Sequence, residues 1–469
     1  MISCTWKSYL SDNRPASFSF RISFCYPPGS PTTRLLGVGA GAYLATETDM
    51  VYIGTRTHYG GREAAFGLHP EDRGHHLYII GKTGVGKTSL LENLILQDIA
   101  AGRAVAVIDP HGDLSVSLLD KLPRHHSERV LYFHAADLDF PIAFNPLHGV
   151  PDDRKHLVVS GIVESFKSIW SDSWGPRLEY ILSAAISALL DCHDATLLGL
   201  PRLLTDEGYR QWVIKQIKDP VVKTFWEDEF SQYDKRFRTE AIAPILNKAG
   251  QLFMSPVLRN ILGQVRSRIK PRYLMDNRKI FIANLSKGLM GEDKANLLGA
   301  LIINAFQLAA MSRADIPETE RQDFSLYVDE FQSFTTTAFV PMLAESRKYR
   351  ISLSLCNQFT AQIPPELQAA IFGNIGTILS FRIGQQDAEK LSREFGNAFA
   401  PHTFTELDNY TVLVKGQLAG QQLQPFMAKT WPPLGTATGR RDAIIRRSRE
   451  RFATRRDVVE DRINRWLAQ

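Results

Sequence analysis

The eight residues Gly81-Lys-Thr-Gly-Val-Gly-Lys-Thr88 constrain this chain more than any other stretch, because they fit G-x-x-x-x-G-K-[ST] at every fixed position. Gly81, Gly84 and Gly86 allow the backbone to wrap a phosphate without Cβ clashes. The N–H groups of Lys82, Thr83, Val85 and their neighbours then point inward, and a following helix adds its positive end. Lys87 is placed to reach the β- and γ-phosphates, and the Thr88 hydroxyl to ligate Mg²⁺. Such a loop needs a strand before it and a helix after it. Leu77-Tyr-Ile-Ile80 reads as the strand. Leu90, Leu91, Leu94 and Ile95 mark the buried side of a helix from Thr88 to Ala101, ended by Gly102. Ala104 to Ile108 is the next apolar strand, so the order is βαβ and the sheet is expected to be parallel.

Further along, Phe324-Ser-Leu-Tyr-Val-Asp329-Glu330 is an apolar strand ending in two carboxylates. Asp329 suits a Mg²⁺ site on a strand neighbouring the loop. Glu330 is then the group to orient and deprotonate water. The strand ending at Cys356 is followed by Asn357-Gln358, amides suited to sensing a γ-phosphate or to capping a turn. Arg347, Lys348 and Arg382 are candidates for an arginine offered to a neighbour's triphosphate, or for local ion pairs. Asp109-Pro-His-Gly-Asp113 lies at the carboxyl edge of the sheet, where open α/β sheets bind ligands; His111 there reads as a turn residue rather than a metal ligand. Asn247-Lys248-Ala249-Gly250 lacks the Asp of a guanine-binding N-K-x-D element, so ATP is favoured over GTP.

Strand signals stop between about 151 and 271, where Leu178, Ile181, Leu182, Ala185, Ile186 and Leu189 fall on one helical face. That segment reads as an all-helical insertion. Strands return at Lys279–Leu285, Ile351–Leu355 and Ile375–Phe381, and an apolar, buried helix is expected over Asp293–Met311. The expected organisation is a β-rich N-terminal segment (1–60), an α/β core in two pieces (61–150 and 272–435), the helical insertion (151–271) and a basic tail (436–469). Within the first segment, Phe18, Phe20, Ile22 and Phe24 alternate as in a half-buried strand, and the glycines of 37–41 read as turns.

The formal net charge is +5, and the tail alone, with ten Arg against five acidic residues, accounts for it. The globular pattern is expected to end near Trp431-Pro-Pro433, leaving a helical tail that offers Ile444, Ile445, Phe452, Val459 and Ile463 as a weak apolar stripe. Such a tail can neutralise nucleic-acid phosphates or remain a solvated arm. Cys4, Cys25, Cys192 and Cys356 show no zinc or C-x-x-C spacing, which fits a reducing cytoplasm. No run of 18 apolar residues and no signal-peptide pattern is present, so any membrane attachment is expected to come from a partner.

Taken in order, the loop at 81–88, Ile108-Asp-Pro-His-Gly-Asp113, Asp329-Glu330-Phe-Gln332, Arg347-Lys-Tyr, Asn357-Gln358 and Phe381-Arg-Ile-Gly384 resemble the type IV secretion coupling proteins. These are conjugative DNA-transfer ATPases within the HerA/FtsK group of P-loop motors. The resemblance covers roughly residues 70 to 430. It implies a RecA-like core of the ASCE type with an all-α insertion, and a homo-hexameric ring that uses ATP and Mg²⁺ to drive DNA through its pore. It gives Glu330, Gln358 and Arg347 as catalytic carboxylate, sensor and interface finger, and Thr88 and Asp329 as metal ligands. Partners on this reading are DNA with a relaxase or secretion channel. Coupling proteins begin with transmembrane helices and none is read here, so a HerA-like motor with a nuclease partner in repair or phage defence is an alternative. A different class, an ATP-gated adaptor without motor activity, does not require the Asp329–Glu330 pair.

Overall fold

A computed structural model describes residues 50–57, 61–336, 339–418 and 420–468. The expected strand at Phe18–Phe24 and the glycines of 37–41 lie outside them. The strands are β1 (Val51–Thr57), β2 (Glu63–Leu68), β3 (Leu77–Ile80), β4 (Ala104–Asp109), β5 (Val130–His134), β6 (Ile280–Asn284), β7 (Phe324–Val328), β8 (Ile351–Asn357), β9 (Thr377–Ser380), β10 (Thr411–Lys415), the short pair β11 (Gln417–Leu418) and β12 (Gln421–Gln422), and β13 (Phe426–Thr430).

All but β11 and β12 form one 11-stranded sheet, in the order β2-β1-β13-β10-β9-β3-β8-β7-β4-β6-β5. From β9 to β5 every neighbouring pair is parallel. From β9 outward through β10, β13, β1 and β2 every pair is antiparallel. The fold is thus a mostly parallel, RecA-like P-loop α/β architecture with an antiparallel extension. The extension and β5 are additions to what the sequence suggested.

The parallel strands are apolar throughout because both faces are covered. Side chains still alternate between the two faces. Val105, Val107, Ile280 and Ile282 join the core that holds helix Lys87–Ala100. Ala104, Ala106, Ile108, Phe281 and Ala283 join the opposite one, which holds helix Glu292–Ser312. The segment Glu292–Asp315 is long and apolar enough to cross a membrane, but 67% of its most apolar window is buried inside the protein. It serves here as the central core helix.

At the amino edge of the sheet, Asp98 is fully buried and bound by Arg73 through both oxygens at 2.5 Å, by the Tyr327 hydroxyl at 2.7 Å and by Arg103 at 3.0 Å. The charge is tolerated because its oxygens are filled by these donors, and loss of Arg73 would leave Arg103 as its one paired cation. This network ties the helix that follows the loop to β7.

Between β5 and β6 the regular elements are helical, from Lys155–Ile169 to Pro271–Asp276. Leu178, Ile181, Leu182, Ala185, Ile186 and Leu189 are all buried, in helix Pro176–Asp191. Their interior is continuous with the core beneath one face of the sheet.

The tail differs from the expectation. The globular pattern does not end at Trp431: its ring stacks on Tyr52 at 5.2 Å, and Asn93 holds the carbonyls of Trp431 and Pro432. Helices Arg441–Phe452 and Arg456–Leu467 follow and pack on the body. Ile444 is buried in one core, Val459 and Ile463 in the other. The Ser448 hydroxyl meets both the N–H and the carbonyl of Tyr132, which satisfies the open edge of β5. Several of the tail's arginines are taken by acids of the same chain: Arg441 by Asp120, Arg449 by Asp137, Arg447 and Arg451 by Glu128. The tail is a structural cover rather than a free basic arm.

Candidate nucleotide-binding and hydrolytic site

The loop after β3 is built around its glycines. Gly84 and Gly86 have φ of +79° and +113°. A Cβ on Gly86 would come within 2.7 Å of the Tyr410 ring, and one on Gly81 within 2.6 Å of Phe381 Cβ. The loop is held from outside as well: Lys82 N–H donates to the Arg382 carbonyl at 2.9 Å, and Tyr410 N–H to the Val85 carbonyl at 2.9 Å. Inside it, the buried Lys87 ammonium is centred by the carbonyls of Gly81 and Lys82 at 2.6 and 2.8 Å. Thr88 opens helix Lys87–Ala100 and is exposed, so its hydroxyl is accessible.

Strand order brings the other candidates to this loop. β8 lies between β3 and β7, with Ile80 level with Asn357 and Val328 level with Leu355. Two strand spacings, about 10 Å, therefore separate the loop from Asp329 and Glu330. Gln358, at the end of the middle strand, stands between them. Its amide donates to Glu330 Oε1 at 2.7 Å.

Glu330 has further partners that sequence reasoning missed. His111 Nε2 lies 2.7 Å from Glu330 Oε2 and, facing a carboxylate, must be the donor. Lys287 Nζ is 3.6 Å from the same oxygen. Burial works to raise the Glu330 pKa, but the hydrogen bonds from His111 and Gln358, with the charges of His111 and Lys287, outweigh it and hold it below the usual carboxylate range. Glu330 sits at φ +43°, a left-handed conformation rare for a residue with a side chain.

Asp329 behaves oppositely. Burial, followed by the nearby Asp109 and Glu330 charges, pushes it up to about 6, while hydrogen bonds from the Cys356 thiol and Glu330 N–H act the other way. Two adjacent carboxyls with divergent tendencies are a common arrangement at hydrolytic sites. Asp109 is committed elsewhere: its oxygens accept the N–H groups of His111, Gly112 and Ser115 and cap helix Asp113–Lys121. His111 is thus a partner of Glu330 as well as a turn residue, and no cluster of three or more metal-ligating His, Cys, Asp or Glu occurs among the described residues.

The loop suits a polyphosphate through its left-handed glycines Gly84 and Gly86, which turn successive N–H groups inward, and through the Lys87 ammonium held at its base. The Thr88 hydroxyl and Asp329 carboxylate are the hard oxygen donors that Mg²⁺ prefers alongside phosphate and water. The two arginines separate. Arg382 is beside the loop, its guanidinium donating to the Leu407 carbonyl and Asn409 of the same chain. Arg347 lies at the amino edge of the sheet near Gly74 and His75, away from its own loop. Lys348 is paired with Glu345. Asn247–Gly250 is helix interior, within Lys235–Phe253.

A family model described as "Helicase HerA, central domain" matches residues 51–306. A search of the curated proteins finds no match. Among solved structures, the unbound bacterial conjugative coupling protein TrwBdeltaN70 aligns with a TM-score of 0.60 and 14% identity, over 87% of this chain and 98% of that one. TrwB in complex with ADP and Mg²⁺ aligns at 0.57 and 14%, over 84% and 97%. VirB4 of Thermoanaerobacter pseudethanolicus aligns at 0.53 and 16%, over 84% and 97%. At such identities these matches speak to the fold, which this chain shares with them across most of its length. With the family model covering more than half of its residues, the chain belongs to the helicase HerA central-domain family and is a P-loop ATPase.

Proposed function

We propose that this protein is an ATP-driven DNA translocase of the coupling-protein kind. Six copies would form a ring, hydrolyse ATP between neighbours and move DNA through the central pore. The observation that carries this reading is the placing of Glu330 and Gln358, hydrogen-bonded at 2.7 Å, on the strand ends beside the phosphate loop. A nucleotide-gated adaptor needs no such base. The fold shared with TrwB supports the DNA-motor class.

In the proposed chemistry, residues Gly81–Thr88 hold the triphosphate of the substrate, and the Lys87 ammonium offsets its charge. Thr88 and Asp329 would hold Mg²⁺, which when bound supplies stabilisation of charge on the transferring phosphoryl oxygens. TrwB has been solved with ADP and Mg²⁺, which supports this pairing. Glu330 takes a proton from the attacking water; His111 and Gln358 keep it ionised and aimed. Gln358, bonded to that base and at the phosphate end of β8, links the nucleotide's state to the chain. Arg347, turned away from its own loop, is proposed to serve a neighbouring copy. The helical unit of 151–271, set between the core pieces 61–150 and 272–435, is proposed to act as an insertion domain built onto the core whose interior it shares. A relaxase or secretion channel is the proposed partner. The HerA family match accommodates a second reading as well, a motor paired with a nuclease.

The test is ATP turnover by the whole chain with no DNA, single strands or duplex, beside Lys87→Ala and Glu330→Gln. DNA-stimulated turnover is expected, lost in Lys87→Ala with nucleotide binding. In Glu330→Gln turnover falls about 10²- to 10⁴-fold while binding persists. ATP bound but never hydrolysed by the wild type, with or without DNA, would move the assignment to an adaptor.

A further inference from the structure

Helices Pro256–Leu262 and Pro271–Asp276 are joined by a segment without regular structure, residues 263 to 270. Its side chains alternate: Ser267 and Ile269 are buried, whereas Arg266, Arg268 and Lys270 are exposed. It is pinned from behind. Asn145 donates to the Val265 carbonyl at 2.8 Å, and Arg268 N–H donates to the Ala143 carbonyl at 2.9 Å.

This row of cations lines a cleft of about 850 Å³ between the helical segment and the edge of the sheet, with Lys279 and the half-exposed Tyr273 on its wall. Arg266 and Arg268 also line an adjoining cleft of about 410 Å³ that contains Arg462. The acids of the larger cleft are Glu128, already taken by Arg447 and Arg451, and Asp194. Among the described residues, no ion pair is made by Arg266, Arg268, Lys270 or Lys279, in contrast to the paired arginines of the tail. In the same cleft burial, and then the Lys270 and Arg266 charges, depress the pKa of His148, with Asp194 acting the other way. Unpaired cations gathered on a concave wall repel one another, and a polyanion relieves that repulsion.

Glu128 and Arg129 directly precede β5, and Lys279 directly precedes β6. The cleft therefore opens at the amino ends of strands whose sheet carries the nucleotide site at its carboxyl ends, and the two sites share no residue. We infer that the cleft binds single-stranded nucleic acid, with Arg266, Arg268, Lys270 and Lys279 on its phosphates and Tyr273 stacked on a base. Lys279 Nζ lies 5.9 Å from the Tyr273 ring centroid, and a duplex, with its bases stacked inside, or an acidic peptide would leave the other face of that ring without a base. The inference deepens the DNA-motor reading and rests on it for the identity of the ligand.

The test is fluorescence anisotropy of labelled oligothymidylate titrated with the full chain over a series of salt concentrations. Arg266→Ala/Arg268→Ala/Lys270→Ala is expected to weaken binding at least tenfold. It should also flatten the dependence of log affinity on log salt by about 2, since each phosphate contact on a single strand contributes about 0.7. Tyr273→Ala is expected to weaken binding with the salt slope kept. Circular dichroism checks the fold, and Lys279→Ala taken alone serves if the triple variant does not fold. Wild-type binding matched in affinity and slope by the triple variant overturns the cleft and leaves the motor reading standing. A wild type that binds neither single strands nor duplex, and whose ATP turnover ignores both, overturns the motor reading together with this one. Polyglutamate that binds more tightly than oligothymidylate and displaces it overturns the nucleic-acid assignment in favour of an acidic peptide.

Discussion

His76 joins the strand that bears the phosphate loop to the strand that bears Gln358, and acid should break that joint. The residue directly precedes β3, is buried, and has φ +66°. Its Nδ1 accepts the Leu353 N–H of β8 at 3.2 Å, so the proton is on Nε2, which donates to the Leu343 carbonyl at 3.1 Å. Both ring nitrogens are satisfied only in the neutral form, and protonation would oppose two donors at Leu353. Burial first, opposed by the Leu343 hydrogen bond, and the neighbouring His75 charge lower the pKa from 6.5 to about 4. An unfolded chain binds this proton below about pH 6.5; the folded chain resists it until about pH 4. The stabilisation is therefore complete above 6.5 and is lost as pH falls through that window. The gap is worth about 3 kcal/mol in full, and about 2 kcal/mol of it is lost between pH 7 and pH 5. Hydrogen exchange of peptides covering β3 and β8, corrected for the intrinsic effect of pH, reads this out as a roughly 20- to 30-fold loss of protection. His76→Gln, which cannot titrate, should lack that extra loss. Equal loss in wild type and variant would show that His76 is not the acid-sensitive joint.

Gly86→Ala sets a Cβ against Tyr410 at φ +113°, and is expected to weaken binding of a fluorescent ATP analogue at least tenfold; unchanged affinity would contradict the loop geometry. Mixing wild type with Arg347→Ala should depress turnover more steeply than in proportion to the variant's share, because each copy would supply its neighbour. Arg382→Ala should instead act on the copy that carries it, and a strictly proportional loss with Arg347→Ala would remove that residue from the interface. Ser448→Ala leaves the Tyr132 N–H and carbonyl unsatisfied at the β5 edge, at a cost of about 1–3 kcal/mol. It should lower the thermal midpoint and leave oligonucleotide affinity alone; an unchanged midpoint would argue against the tail as an edge cover.

The phosphate loop was legible from residue order alone because all of its requirements are local: glycines at fixed spacing, a four-residue strand before, a helix after. The same holds for the strand ending at Asp329–Glu330, whose limits, Phe324–Val328, coincide with the apolar run, and for the long apolar helix. Those readings depend on hydrophobic periodicity and short-range backbone chemistry, which a linear string contains. The antiparallel extension was not legible, since its strands are short and take their partners from both ends of the described chain: β1 pairs with β13. The tail was legible as helix, and Ile444, Val459 and Ile463 of its expected apolar stripe are buried, but its packing onto the body was not, for a related reason. Its arginines look like a basic arm in a list of charges, and only the fold shows Asp120, Glu128 and Asp137 waiting opposite them.

The sequence by itself determined that this chain builds a phosphate loop on a parallel α/β sheet and that Asp329 and Glu330 end a strand of that sheet. Only the tertiary structure decided what surrounds those carboxylates. His111 and Lys287 are 219 and 43 residues from Glu330 along the chain, and nothing in their local spacing points to it. Strand order sets β4 against both β6 and β7, and it is this long-range pairing, settled by how whole faces bury against one another, that brings three distant loops to a single carboxylate.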